Sequence, residues 1–91
     1  MTRLHLRFQG VFEELTQRKD QALELTNPTL HTTVATMEGQ YGPRFTKLVS
    51  GTPHKIGAGM SVLVNGQPRN WDAPLLEGDE VLFLTAFGGI L

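Results

Sequence analysis

The segment Glu80-Val-Leu-Phe-Leu-Thr-Ala-Phe87 is nearly continuous in apolar residues and rich in aromatic and branched side chains. A strand covered on both faces reads this way. The rest of the chain has to flank and cover it. Leu4, Leu6 and Phe8 alternate with Arg3, His5, Arg7 and Gln9, the period of a strand with one buried face. After Gly10, the stretch Val11 to Thr16 reads as a turn or a single helical loop, and Ala22 to Thr26 as a second strand with Leu23 and Leu25 on one side. These first two strands form a hairpin.

Asn27-Pro28-Thr29 is helix-start punctuation, since Asn or Thr caps a backbone N–H and Pro tolerates the first helical position. Leu30, Val34, Met37 and Tyr41 then recur as one apolar helix face. Thr32, Thr33, Thr36 and Gly39 have poor helix propensity, so packing must hold this segment until Gly42-Pro43 stops it. Residues 42–59 contain four Gly, two Pro and three basic residues and read as a long loop, with one helical turn around Phe45 to Val49. Met60 to Val64, Asn65-Gly66 and Gln67 onward read as a hairpin with a type I′ turn, and Pro68 and Pro74 make its return arm short and edge-like. One main helix across a mixed sheet of four to five strands, an α+β fold, accommodates this order.

A length of 91 residues leaves room for one core. Cysteine is absent, which excludes disulfides, thiolate nucleophiles and cysteine-held zinc or iron–sulfur clusters. Hydrophobic residues at 40% and charged residues at 19% fit a folded domain, and the sequence contains no apolar run long enough for a membrane helix. Met1 to Phe8 carries no apolar block of the signal-peptide kind, so cytoplasmic residence is expected. Residues 1–56 hold seven Lys/Arg against five Asp/Glu, whereas residues 57–91 hold Arg69 against Asp72, Glu77, Asp79 and Glu80. That polarity is too small for a nucleic-acid footprint.

Val62-Leu-Val-Asn-Gly66, then Leu76-Glu-Gly-Asp-Glu-Val81, the apolar strand and Gly88-Gly89 resemble the ubiquitin-like sulfur carriers of the MoaD/ThiS type. That family comprises the molybdopterin-synthase small subunit, the thiamine-biosynthesis carrier and the carriers for cysteine or homocysteine formation. The element order is similar to their ubiquitin-like β-grasp fold. The resemblance implies a β-grasp domain over residues 1–87 and a flexible tail over 88–91. It implies no catalytic residue of the chain's own and no bound cofactor or metal. The working group in this family is the carboxylate of the last glycine. A partner E1-like adenylating enzyme uses ATP to convert it to an acyl-adenylate, and sulfur transfer gives a thiocarboxylate. An acceptor enzyme, such as a synthase large subunit or a sulfhydrylase-like enzyme, then takes the sulfur.

By that resemblance Gly89 bears the sulfur and Gly88 gives reach, because residues without Cβ make a thin, permissive tail. Ile90 and Leu91 depart from the pattern, and the expectation is that the Gly89–Ile90 bond is cut first, as by a metalloprotease of the JAMM type. The run Leu82 to Phe87 also lacks the proline often found before the family's glycines. The partner-docking residues implied are Leu82, Leu84, Phe87 and Arg7, the leucines forming an apolar patch bounded by Arg3, His5 and Arg7.

Other constellations are weaker. His5, His31 and His54 lack metal-ligand spacing, and neighbouring Glu13 and Glu14 point apart on any regular element. Gly57-Ala-Gly59 lacks the remainder of a phosphate loop. Two further functions stay open: a ubiquitin-like modifier joined to lysines through the same tail, and a binding module contacting RNA through Arg44, Lys47, His54 and Lys55.

Overall fold

Strand β1 spans Thr2–Phe8 and buries Leu4, Leu6 and Phe8 on one face in the computed structural model, which describes residues 1–50 and 62–84. Gly10, at φ 64°, turns the chain into a short helix α1 (Val11–Thr16) that buries Phe12. Gln17 ends it in the left-handed region, and β2 (Asp20–Leu25) returns antiparallel to β1 with Leu4 opposite Leu23. The expected hairpin is present, with one helical turn and a half in its connection.

Helix α2 (Leu30–Tyr41) buries Leu30, Val34 and Met37 as the apolar stripe requires. Its weak propensity is offset by burial of its apolar stripe and by the cap at its start. Thr29 caps the helix by accepting from the Thr32 N–H at 3.2 Å, and the Thr29 N–H donates to Thr32 Oγ1 at 2.8 Å, a reciprocal capping box. The Thr33 and Thr36 hydroxyls each donate to the carbonyl four residues back at 2.8 Å.

The chain reverses at Gly42, φ 95°, and starts α3 (Pro43–Ser50) with proline in the first helical position. This corrects the expected loop: residues 43–50 are a two-turn helix, because Phe45 and Val49 are both buried one turn apart. Residues 51–59 of that stretch lie outside the described residues.

Strand β3 (Val62–Val64) ends in the expected turn, with Asn65 at φ 52° and Gly66 at φ 83°. The return arm is a single bridge, Val64 to Gln67, since Pro68 follows and has no N–H to continue the ladder. The true partner of β3 is β4 (Glu80–Phe83), antiparallel, and β4 runs parallel to β1 on its other side. The sheet order is β2-β1-β4-β3, a four-stranded mixed sheet among the described residues. The apolar strand β4 is internal to the sheet, between β1 and β3. Residues 85–87 of the expected strand lie outside the described residues.

All three helices lie over one sheet face, where their buried residues join Leu4, Leu6, Phe8, Val62, Val64, Val81 and Phe83 in one core. At its centre are four of the five phenylalanines. Phe83 stacks on Phe8 at 5.8 Å between ring centroids, and meets Phe45 at 5.0 Å and Phe12 at 5.5 Å.

Phe45→Ala is expected to cost about 3–5 kcal/mol, the usual loss for emptying a buried aromatic site. Gly39→Ala, where an added Cβ meets nothing within 4 Å, is expected to add up to about 1 kcal/mol. Urea unfolding monitored by circular dichroism measures both.

Candidate functional site

With its inner face covered by helices, the sheet leaves its outer face without a protein layer among the described residues. Register fixes which side chains share it. One row runs Asp20 (β2), Arg7 (β1), Leu82 (β4), Leu63 (β3), and the next runs Ala22, His5, Glu80. Glu24 and Arg3 face each other beyond. Val81 and Phe83 are fully buried, whereas Leu82, Leu63 and Leu84 are half-buried. The alternation thus sends Val81 and Phe83 into the core and leaves Leu82 on the other face. The strand is internal to the sheet, but its outer side is open.

Arg7 lies beside that apolar patch, with Nη1 3.7 Å from Glu80 Oε2 and both side chains nearly half exposed. His5 Nε2 is 4.0 Å from Asp20 Oδ2 in the neighbouring column. Leu82 and Arg7 are register partners, and Leu84 is half-buried just past the end of β4, while Phe87, Gly88, Gly89 and Ile90 lie outside the described residues. Leu63 completes the patch and was missed. Its alternation with Val62 and Val64 marks an outward residue, but only the pairing of β3 with β4 puts it next to Leu82.

The end of β4 is held by both backbone and side chain. Gln9 N–H donates to the Phe83 carbonyl at 2.8 Å, and the Phe83 ring sits in the phenylalanine cluster. Thus the last strand residue is tied to β1 by backbone and to α1 and α3 by side chain.

The two sequence segments that carried the resemblance meet at the other end of β4. Asn65 Nδ2 donates to Asp79 Oδ1 at 3.0 Å, and Asn65 Oδ1 accepts from Glu80 N–H at 2.9 Å. Asp79 is 8% exposed, and its other oxygen accepts from Leu76 N–H at 2.9 Å. These residues lock two turns together and serve architecture.

The remaining candidates stay apart. His31 is paired with exposed Asp72 at 3.4 Å and packs near Trp71, on the helical side. Glu13 and Glu14 are successive residues of α1, and no group of three or more potential metal ligands forms among the described residues. Arg44 and Lys47 lie on helix α3, correcting the basic-loop reading, while His54 and Lys55 are outside the described residues. Among the described residues, no helix is long and apolar enough to cross a membrane.

A family model described as ThiS matches residues 6–89. Among solved structures, the chain is similar to a putative molybdopterin converting factor subunit 1 from Pyrococcus furiosus, with 20% identity, a TM-score of 0.74, and coverage of 93% of this chain and 98% of that one. A Haloferax volcanii protein solved in solution gives 22% identity and a TM-score of 0.74, over 97% of this chain and 86% of that one. Small archaeal modifier protein 1 of H. volcanii gives 14% identity and a TM-score of 0.69, over 93% and 98%. No curated protein matches. At these identities the structural likeness establishes the shared ubiquitin-like β-grasp fold.

Asn65→Ala is expected to destabilise the domain by about 1–3 kcal/mol, because it strips partners from a buried carboxylate. Leu82→Ser is expected to cost about 1 kcal/mol or less, as for an outward strand position. Paired chemical denaturation curves distinguish the architectural residue from the one available for binding.

Proposed function

The chain belongs to the ThiS family of ubiquitin-like sulfur carriers, and on that premise we propose that it carries sulfur on the carboxyl of Gly89. The observation that supports this most directly is the extent of the family match, which includes Gly88 and stops at residue 89, just short of Ile90. Members of the family are small carriers rather than catalysts, and this chain is read in the same way, as a protein that enzymes act upon. Its setting is the cytoplasm.

The chemistry begins with hydrolysis of the Gly89–Ile90 peptide bond, which frees a carboxylate on Gly89. A JAMM-type metalloprotease is the proposed agent. On an E1-like adenylating enzyme, a carboxylate oxygen attacks the α-phosphorus of ATP and pyrophosphate leaves. Hydrosulfide then attacks the acyl carbon and displaces AMP, leaving a thiocarboxylate. The tail follows directly from the fixed Phe83, so the outer face can dock on an enzyme while residues 85–89 reach toward its active site. Seven residues separate Leu82 from Gly89, which spans up to about 23–25 Å if extended. The sulfur passes to an enzyme of molybdopterin or sulfur-amino-acid synthesis, either a synthase large subunit or a sulfhydrylase-like enzyme. The likeness to a molybdopterin converting factor subunit favours the first.

The likeness to a small archaeal modifier protein supports a second reading, in which the activated Gly89 carbonyl is transferred to lysine amines. Both readings need the same processed tail and adenylation, and they part at the nucleophile that displaces AMP.

The test supplies the full-length chain and a form ending at Gly89 to the host's adenylating enzyme with ATP. Pyrophosphate exchange is expected from the shorter form alone. Exchange from neither form refutes the carrier reading, and equal exchange from both refutes the processing step. Gly89→Ala in the shorter form is expected to abolish exchange while leaving the melting temperature unchanged.

A further inference from the structure

Helix α3 separates two grooves on the helical side of the sheet. The groove against α1 is lined by Leu15 and Leu48 together with Arg44 and Lys47. The groove against α2 has a volume of about 330 Å³ and the opposite chemistry. Val34 and Ala35 of α2, Val49 of α3 and Trp71 line it, and none of its described lining residues is Lys or Arg.

Trp71 is a wall held in place by the start of α2. Its carbonyl accepts from the His31 N–H at 3.3 Å, and its ring lies 5.6 Å from the His31 imidazole. His31 also lines the pocket, but its Nε2 is engaged 3.4 Å from Asp72 Oδ1. Glu38, about two turns further along α2, is exposed, and its carboxylate has no partner among the described residues. On the α3 wall, Thr46 Oγ1 is buried without a hydrogen-bond partner, the one such side-chain atom among the described residues. Thr16, Thr33 and Thr36 each donate to the carbonyl four residues back, the usual solution for a helical threonine, and Thr46 does not.

These features select an occupant. Apolar walls, an indole and one unpaired carboxylate suit a cation on a long apolar stem. A guanidinium fits better than an ammonium, because it is planar, stacks on aromatic faces and is more weakly hydrated. Anions are repelled, since Glu38 lines the pocket and Asp72 stands beside His31. The volume exceeds that of one arginine side chain and leaves room for an apolar neighbour.

We propose that this pocket docks a segment of a partner protein through an arginine flanked by apolar residues. The guanidinium lies on the Trp71 indole and pairs with Glu38, while an apolar neighbour rests on Val34, Ala35 and Val49. The site is on the helical side, so its occupant leaves the outer sheet face uncovered and can be held whether or not the chain carries sulfur.

Trp71 is the only tryptophan of the chain, so its fluorescence reports on this pocket directly. The full-length protein is titrated with acetyl-Leu-Arg-Leu-amide, and with the same peptide carrying Lys, Gln or Glu in place of Arg. The arginine peptide is expected to give a saturable change with a Kd of about 1 mM or tighter, the lysine peptide to bind about threefold more weakly, and the other two more weakly still. Glu38→Gln is expected to weaken the arginine peptide by about threefold to fivefold at low salt, with the melting temperature unchanged. Ala35→Lys, at an exposed helix position, puts a competing cation within reach of Glu38 and is expected to block binding. Arg44→Glu/Lys47→Glu, in the other groove, is expected to change Kd by less than about twofold at physiological salt. No saturable change, equal affinity for the glutamine or glutamate peptide, or an unaltered Kd in Glu38→Gln overturns the proposal. A lysine peptide bound as tightly as the arginine one overturns the guanidinium assignment. A dimer in sedimentation that Ala35→Lys dissociates gives the pocket to a second copy and overturns the proposal too.

Discussion

Phe83 is the residue on which the architecture turns. Its ring stacks on Phe8 across the parallel β1–β4 pair and is closed over by Phe12 and Phe45, so one side chain joins the sheet to two helices. The same residue ends the last described strand, and its carbonyl is held by Gln9. Its neighbour Leu82 faces the other way, on the open surface. Alternation along β4 thus makes the core and the outer sheet face consecutive residues of one strand. The end of β4 is thereby fixed by both a backbone and a side-chain contact.

The opposite end of β4 is secured by polar contacts. Asn65 adopts a positive φ that few residues accept, and its side-chain amide bridges the Asp79 carboxylate and the Glu80 N–H. The Asn-Gly turn and the Glu-Gly-Asp turn are far apart in sequence but act as one hydrogen-bonded unit. Together they fix where β4 starts.

Much of the fold was legible because local patterns agreed with the tertiary environment. Leu4, Leu6 and Phe8 alternate and are buried, and Leu30, Val34 and Met37 line one helix face as spaced. Helix α3 was hidden because Gly42, Pro43 and the glycines after residue 50 dominate the local signal, while what sustains it is the burial of Phe45 against phenylalanines distant in sequence. Leu63 was hidden for the same reason: its outward direction is local, but its place beside Leu82 depends on a pairing across the chain. The run from Val81 read as covered on both faces, whereas Val81 and Phe83 are buried and Leu82 and Leu84 only half-buried among the described residues. The site residues were named through the resemblance alone, and the charged columns beside Leu82 became visible only once register was known.

Sulfur in this account is carried on a main-chain carboxyl, which a chain without cysteine can supply. The most direct test is the intact mass of the protein isolated from its native cells under sulfur demand, with fragmentation to locate the change. The account expects a species ending at Gly89 in which one terminal oxygen is replaced by sulfur. A population that retains Ile90, or that ends at Gly89 with both oxygens in place and occurs only as lysine conjugates, contradicts it.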